Sequence, residues 1–153
     1  MSVHLGAITG ENAFIAVGLV EDTHPLVRAP GWANDEGDSI GYHSDDGAVI
    51  LSHRPVMNPG GKSGESVRVA CQGQASAFTP GNRICIGYDG DNIFFVGPDG
   101  TRFTASFLCK PAAGGKGPGT LDSFWTRGKT FFPVVYVMGE TVDITVKCET
   151  KTM

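Results

Sequence analysis

The clearest pattern of polar and apolar residues lies near the end of the chain, from Thr141 to Glu149. Every second residue from Val142 to Cys148 is apolar, and the residues between them are polar. This period of two is typical of a β-strand with one buried and one solvated face. An antiparallel sheet accommodates such a strand, because it can leave one face in water. We therefore expect Ile144 in the core and Lys147 on the surface.

Two further segments combine strand patterns with the residues of tight turns. The alternating run Ser39 to His43 leads into Ser44-Asp45-Asp46-Gly47, where Asp side chains can cap the backbone and Gly tolerates a positive φ. A varied form recurs from Ile84 to Phe95, with Asp89-Gly90-Asp91-Asn92 between two apolar runs. Each segment is predicted to form a β-hairpin, and Phe94 is expected in the core.

The segments Ala13 to Val20 and Phe131 to Val137 are apolar on both faces, so both are predicted as central strands that are covered on both sides. No segment has a helical period of useful length. The 22 glycines suit short strands joined by tight turns, and two long loops are expected at 53–64 and 111–128. The predicted fold is all-β: one domain over residues 1–153, an antiparallel β-sandwich of two packed sheets with long inter-strand loops.

Charge and cysteine content narrow the choice of partner and compartment. The 12 basic residues are scattered and are outnumbered by 16 acidic ones, which argues against a nucleic-acid footprint. The four cysteines lie among apolar residues without metal spacing, and we expect all four to be reduced and at least three to be buried. No apolar run approaches a membrane span, and no secretory signal is visible at the N-terminus. A cytoplasmic, reducing location is expected, with no membrane contact.

Catalytic, metal and cofactor sites are not predicted. Asp89-Gly90-Asp91-Asn92 resembles the start of a calcium loop, but the twelfth position is Gly100, where an EF-hand needs Glu. Asp45 and Asp46 are adjacent, and Glu140 and Asp143 would face opposite sides of a strand, so neither pair has the geometry of a glycosidase. We expect a protein without enzymatic activity.

Four motifs follow one another along the first third of the chain: Pro25-Leu26 with Arg28, Pro30-Gly31-Trp32, the Gly-Tyr-His at residues 41–43, and the Asp-Asp-Gly at 45–47. They resemble those of the SPRY domain, especially the type in Ran-binding protein M. The paired strands from Ile84 to Phe95 and the last two strands, from Phe132 to Val146, also resemble the family pattern. The resemblance covers roughly residues 13 to 147. It implies a β-sandwich of the distorted, concanavalin-like jelly-roll type that binds proteins through the loops at one side.

The resemblance also implies which residues contact a partner. They are Arg28, Pro30, Tyr42, His43, Val137, Met138 and Gly139, and the outlying loop pair Trp125 and Arg127 is added to them. Arg28 is the expected anchor, because Arg and aromatic residues dominate interface hot spots. Trp32 is expected in the core, while Tyr42 is equally compatible with the core and with the surface.

The function predicted from the sequence is a non-catalytic protein–protein interaction module. Its partner is a peptide or a protein loop, and the chain is expected to be monomeric alone and to serve as a scaffold, an adaptor or a recognition subunit of a larger assembly. A carbohydrate-binding, lectin-like sandwich is the alternative.

Overall fold

The strands of this chain build two antiparallel sheets. The computed structural model describes residues 2–8, 13–32, 37–53, 65–68, 71–72, 76–79, 81–88, 93–105, 130–139 and 142–147. The eleven strands within these ranges are β1 Ser2–Ile8, β2 Phe14–Glu21, β3 Ser39–His43, β4 Val49–His53, β5 Glu65–Arg68, β6 Cys71–Gln72, β7 Arg83–Tyr88, β8 Ile93–Val96, β9 Arg102–Ala105, β10 Phe131–Met138 and β11 Val142–Lys147.

One sheet has six strands in the order β11-β1-β7-β8-β9-β6, and the other has five in the order β10-β2-β3-β4-β5. All strand pairs described are antiparallel. The two sheets pack face to face over a shared core, so the predicted all-β sandwich is confirmed. The described residues include no helix that is long and apolar enough to cross a membrane.

Both predicted hairpins are present. In the first, β3 pairs with β4 across a turn in which the Gly47 amide donates to the His43 carbonyl at 3.1 Å. Gly47 has a φ of +70°, and the Asp46 carboxylate accepts the Ala48 amide at 2.8 Å, as the turn chemistry predicted. In the second, β7 pairs with β8, and the connecting residues 89–92 lie outside the described part of the chain.

The two apolar segments differ in their position. As predicted, β2 is central: it pairs with β10 and β3, and its residues Ala16 to Gly18 are buried on both faces. The prediction for β10 is wrong, because this strand is at the edge of the described sheet and exposes Phe132, Pro133 and Met138. Pro133 suits an edge, since proline has no N–H to donate to a further strand.

Aromatic residues from both sheets fill the core around Tyr42. The Tyr42 ring centroid lies 4.7 Å from Phe78, 5.6 Å from Phe95 and 5.0 Å from Phe103, and its hydroxyl donates to the Ser76 carbonyl. Residues of β2, β3, β4, β7 and β8 complete the cluster, namely Ile15, Val17, Ile40, Val49, Leu51, Ile84, Ile86 and Ile93. A buried tyrosine hydroxyl needs a hydrogen-bond partner, and the Ser76 carbonyl provides one for Tyr42.

The expected core position of Phe94 is wrong by one residue. Phe95 is fully buried, whereas Phe94 is half-buried on the outer face of the six-stranded sheet. The Phe94 ring covers Gly87, where a Cβ would lie 2.2 Å from the ring, and the Arg102 guanidinium stands 3.7 Å above its centroid. Successive residues of a strand face opposite sides, so only one of the two phenylalanines could enter the core.

The structure tests the predictions for β11 and for the cysteines at some of their residues only. Thr145 and Lys147 are exposed, which agrees with the predicted outward face, while the side chain of Ile144 lies outside the described residues. Cys85 is a free thiol and is half-buried. The side chains of the other three cysteines, Cys71, Cys109 and Cys148, lie outside the described part of the chain.

The positions of Phe94 and Phe95 predict different losses of stability when each residue is replaced by alanine. Phe95→Ala should reduce the free energy of unfolding by about 3–5 kcal/mol, because it opens a cavity in a closed core. Phe94→Ala should cost distinctly less, since that ring is already half-exposed. Lys147→Ala, at an exposed site, should change stability by less than about 0.5 kcal/mol. Urea unfolding of the three variants measures this; equal losses for Phe94 and Phe95 would contradict the assigned strand facing.

Candidate interaction surface

The connection between β2 and β3 covers the outer face of the five-stranded sheet. Its two ends are tied together, since the Glu21 amide donates to the Asp38 carbonyl at 2.8 Å and the Asp38 amide donates to the Glu21 carboxylate at 2.9 Å. Within this loop, Ala29, Pro30 and Gly31 are buried, while residues 26–28 are exposed. A loop held in this way presents its exposed residues in a fixed position.

The motif Ala29-Pro30-Gly31-Trp32 forms a turn of type II. The Trp32 amide donates to the Ala29 carbonyl at 3.0 Å, and Gly31, at the third position, has a φ of +91°. Proline at the second position and glycine at the third are the residues that this turn requires. The Gly31 amide donates to the Ser39 hydroxyl at 2.8 Å, which binds the turn to β3.

Pro30 packs directly against two glycines of the sheet. Gly18 of β2 and Gly41 of β3 are register partners, and a Cβ on Gly41 would lie 2.2 Å from the Pro30 carbonyl oxygen. The His43 Nε2 is 2.8 Å from the same oxygen. Because a carbonyl only accepts hydrogen bonds, His43 must carry its proton on Nε2 to form this one.

Four rings stand beside this docked turn and form what we call the aromatic cluster: Phe14, Trp32, His43 and Tyr136. Phe14 stacks on Trp32 with centroids 5.4 Å apart and makes edge contacts with His43 at 5.2 Å and Tyr136 at 6.4 Å. Trp32 and Tyr136 are 6.0 Å apart. His43 is buried, whereas the other three are half-buried, so their outer faces meet solvent.

Exposed apolar residues extend this cluster at both ends. Leu26 and Val27 are 87% and 80% exposed at the tip of the loop, and Met138, the register partner of Phe14, is 48% exposed at the end of β10. The Tyr136 hydroxyl lies 3.5 Å from the Val27 carbonyl oxygen, which connects the tip to β10. We call this surface the loop surface; it consists of Leu26, Val27, Arg28, Trp32, Tyr136 and Met138.

The predicted contact residues fall into four groups in the structure. Arg28, Met138 and Gly139 are exposed, and the loop of Arg28 meets the strand of Met138 through the aromatic cluster. Val137 is half-buried and is the register partner of the core residue Ile15. Trp125 and Arg127 lie outside the described residues.

The remaining three predicted contacts are corrected, because their side chains are buried. Tyr42 belongs to the core, Pro30 is covered against the two glycines, and His43 holds Pro30 from below. Pro30 and His43 thus position the loop, whereas Tyr42 packs the core. The prediction that Trp32 lies in the core is wrong. Trp32 is half-buried and belongs to the aromatic cluster.

Sequence reasoning missed Phe14, Tyr136, Leu26 and Val27 as surface residues. Phe14 and Tyr136 lie in runs that are apolar on both faces, so periodicity could not show which side each one takes. The signal for Leu26 and Val27 was present, since an apolar pair between Pro25 and Arg28 in a loop has no strand neighbours to cover it.

The loop surface consists of aromatic, aliphatic and thioether side chains and one guanidinium group. Among the described residues, no three His, Cys, Asp or Glu side chains are grouped so that they could hold a metal ion. A lowered pKa occurs in the other sheet, in the turn after β8, where hydrogen bonds from the backbone and side chain of Thr101 hold the Asp99 carboxyl below its usual value. That carboxylate stabilises its own turn and faces no cleft described here.

Known proteins resemble this chain over a short segment. A stretch of 41 residues, 27% of the chain, is 42% identical to SPRY domain-containing protein 3 of Homo sapiens and, to the same extent, of Pongo abelii. The alignment covers 9% of the length of each of these proteins. No protein-family model matches the chain, and no solved structure matches it. The similarity supports a SPRY-type domain over that stretch and does not separate the Ran-binding-protein-M type from others.

The contact between Pro30 and Gly41 can be tested by adding one methyl group. Gly41→Ala should displace the turn, because its Cβ has no room beside the Pro30 carbonyl, at a cost of about 1–3 kcal/mol in stability. Hydrogen–deuterium exchange of the Gly31 and Trp32 amides should become faster. Gly97→Ala is the matched control, since its nearest neighbour would be 3.5 Å away. Unchanged exchange in Gly41→Ala would show that the turn does not depend on this contact.

Proposed function

We propose that this chain is a non-catalytic protein-interaction module of the SPRY type, which binds a peptide or a protein loop through the loop surface. Membership of the Ran-binding-protein-M type is part of the proposal, and the motifs at residues 25–32 and 41–47 support it. The short similarity to SPRY domain-containing protein 3 supports the broader assignment.

The observation that carries the proposal is the composition of the loop surface. It combines Trp32 and Tyr136, whose ring centroids lie 6.0 Å apart, with the exposed Arg28 and Met138, and aromatic residues, Met and Arg are the types enriched in protein interfaces. Two highly exposed aliphatic side chains adjoin them. Exposed apolar groups that lie side by side, with polar residues around them, mark interaction sites more often than single exposed ones do.

Rigidity also favours a binding role for this loop. The turn at Pro30 is held by hydrogen bonds from Gly31, Trp32 and His43, so its conformation is fixed before a partner arrives. Binding then loses less conformational entropy than it would with a mobile loop. The half-buried rings of Phe14 and Tyr136 support the loop from the sheet below.

The compartment and the class of partner that we propose rest on the Cys85 thiol and on the net charge of the chain. The free thiol of Cys85 favours a reducing, cytoplasmic compartment. A net charge of −4 favours a protein partner over nucleic acid. We propose a monomer that acts as the recognition subunit, scaffold or adaptor of a larger assembly.

Two substitutions test the loop surface. Arg28→Ala removes an exposed cation, and Met138→Asp places a charge where an apolar contact is expected. Each should weaken binding about tenfold or more while leaving the melting temperature nearly unchanged, because neither residue fills the core. Lys147→Ala is the control, since that residue is exposed on the other sheet.

The experiment uses the whole chain as bait for affinity capture, followed by mass spectrometry and by titration of the purified partner against the variants. Normal binding by both Arg28→Ala and Met138→Asp would place the docking site elsewhere, and the loop of Trp125 and Arg127 would be tested next. Failure to capture any protein in stoichiometric amount would count against the interaction role. A glycan array that gave specific binding in that case would favour the lectin alternative.

A further inference from the structure

The tip of the β2–β3 loop is a tight turn that projects two aliphatic side chains into solvent. The Arg28 amide donates to the Pro25 carbonyl at 3.0 Å, so Leu26 and Val27 occupy the two corner positions of a β-turn. They are the most exposed large apolar residues in the described part of the chain. Turn corners usually carry polar residues or glycine, so this pair is unusual.

The turn has a defined position relative to the rest of the protein. The Val27 carbonyl lies beside the Tyr136 hydroxyl, and three residues later Pro30 is packed against the sheet. Leu26 and Val27 therefore project into solvent from a loop that is held against the sheet at Pro30. The exposed Arg28 follows them directly in the chain. We call residues Leu26, Val27 and Arg28 the loop tip.

We infer that the loop tip is itself a ligand: it inserts into an apolar pocket of the partner protein, and Arg28 pairs with a carboxylate at the rim of that pocket. This inference rests on the proposed function. In the complex that we infer, this chain supplies the convex element and the partner supplies the pocket. Two adjacent aliphatic side chains on a turn cannot shield each other from water, whereas a pocket can enclose both. The neighbouring cation makes an acidic rim the complementary surface.

A second copy of this chain is a less suitable occupant. A two-fold contact centred on the loop tip would bring the Arg28 side chains of both copies close together, because such contacts are self-complementary. An anionic membrane is also disfavoured, since the chain carries a net charge of −4. A protein pocket with a negative rim has neither difficulty.

The test begins with a photoreactive residue at the tip. Leu26 is replaced by p-benzoylphenylalanine in the full chain, with the same substitution at Lys147 as the control, and cross-linked proteins are identified after irradiation in cells. A protein captured at position 26 and not at 147 is then purified and titrated against wild type, Leu26→Ser, Val27→Ser and Arg28→Glu. Phe132→Ser is the matched variant, because it removes an exposed apolar side chain outside the loop tip.

The expected result has two parts. Leu26→Ser and Val27→Ser should each raise the Kd about tenfold or more, whereas Phe132→Ser should not, and all should melt at the wild-type temperature. Arg28→Glu should lose binding, and changing the partner's carboxylate at the cross-linked pocket to lysine should restore it.

Other outcomes overturn the inference. If the partner binds Leu26→Ser and Val27→Ser normally but loses affinity for Met138→Asp, the loop tip is not the ligand and the proposed function stands. If no protein binds the chain at all, the proposed function fails first. A dimer in analytical ultracentrifugation, or sedimentation with phosphatidylserine vesicles, that is abolished by Leu26→Ser would assign the tip to a second copy or to a membrane instead.

Discussion

The outer face of the five-stranded sheet depends on the absence of two side chains. Gly18 and Gly41 face each other across β2 and β3, and the Pro30 backbone and ring occupy the space that their Cβ atoms would need. This close approach brings the loop down onto the sheet, so the positions of Trp32 and of the loop tip both follow from it. A Cβ at Gly41 would displace the Pro30 carbonyl, raise the loop and separate the aromatic cluster. A Cβ at Gly18 would meet the Ile40 carbonyl oxygen first, at 2.1 Å, and the Pro30 Cβ at 2.7 Å.

Strand β3 connects that surface to the core through two successive residues. Tyr42 faces inward among Phe78, Phe95 and Phe103, while His43 faces outward and holds Pro30. Because neighbouring residues on a strand point to opposite sides, one dipeptide fixes both the packing of the two sheets and the placement of the loop. The docked loop thus lies on the strand that also contributes Tyr42 to the core.

The sequence predicted those features that depend on local chemistry. Turn residues located both hairpins, and the alternation after Thr141 identified the outward face of β11. Segments that are apolar on both faces carried no such information: β10 was expected to be central and is at the edge, and Phe94 was expected in place of Phe95. Of the residues predicted to contact a partner, Arg28 and Met138 are exposed, whereas Pro30, Tyr42 and His43 have buried side chains, which only the tertiary structure shows.

The proline in β10 has a consequence for how the sheet ends. An edge strand with a complete row of free N–H and C=O groups can template the addition of further strands, which leads to aggregation. Pro133 interrupts that row, since it has no N–H to offer. At Pro133 the described edge is therefore a poor template for the addition of a further strand.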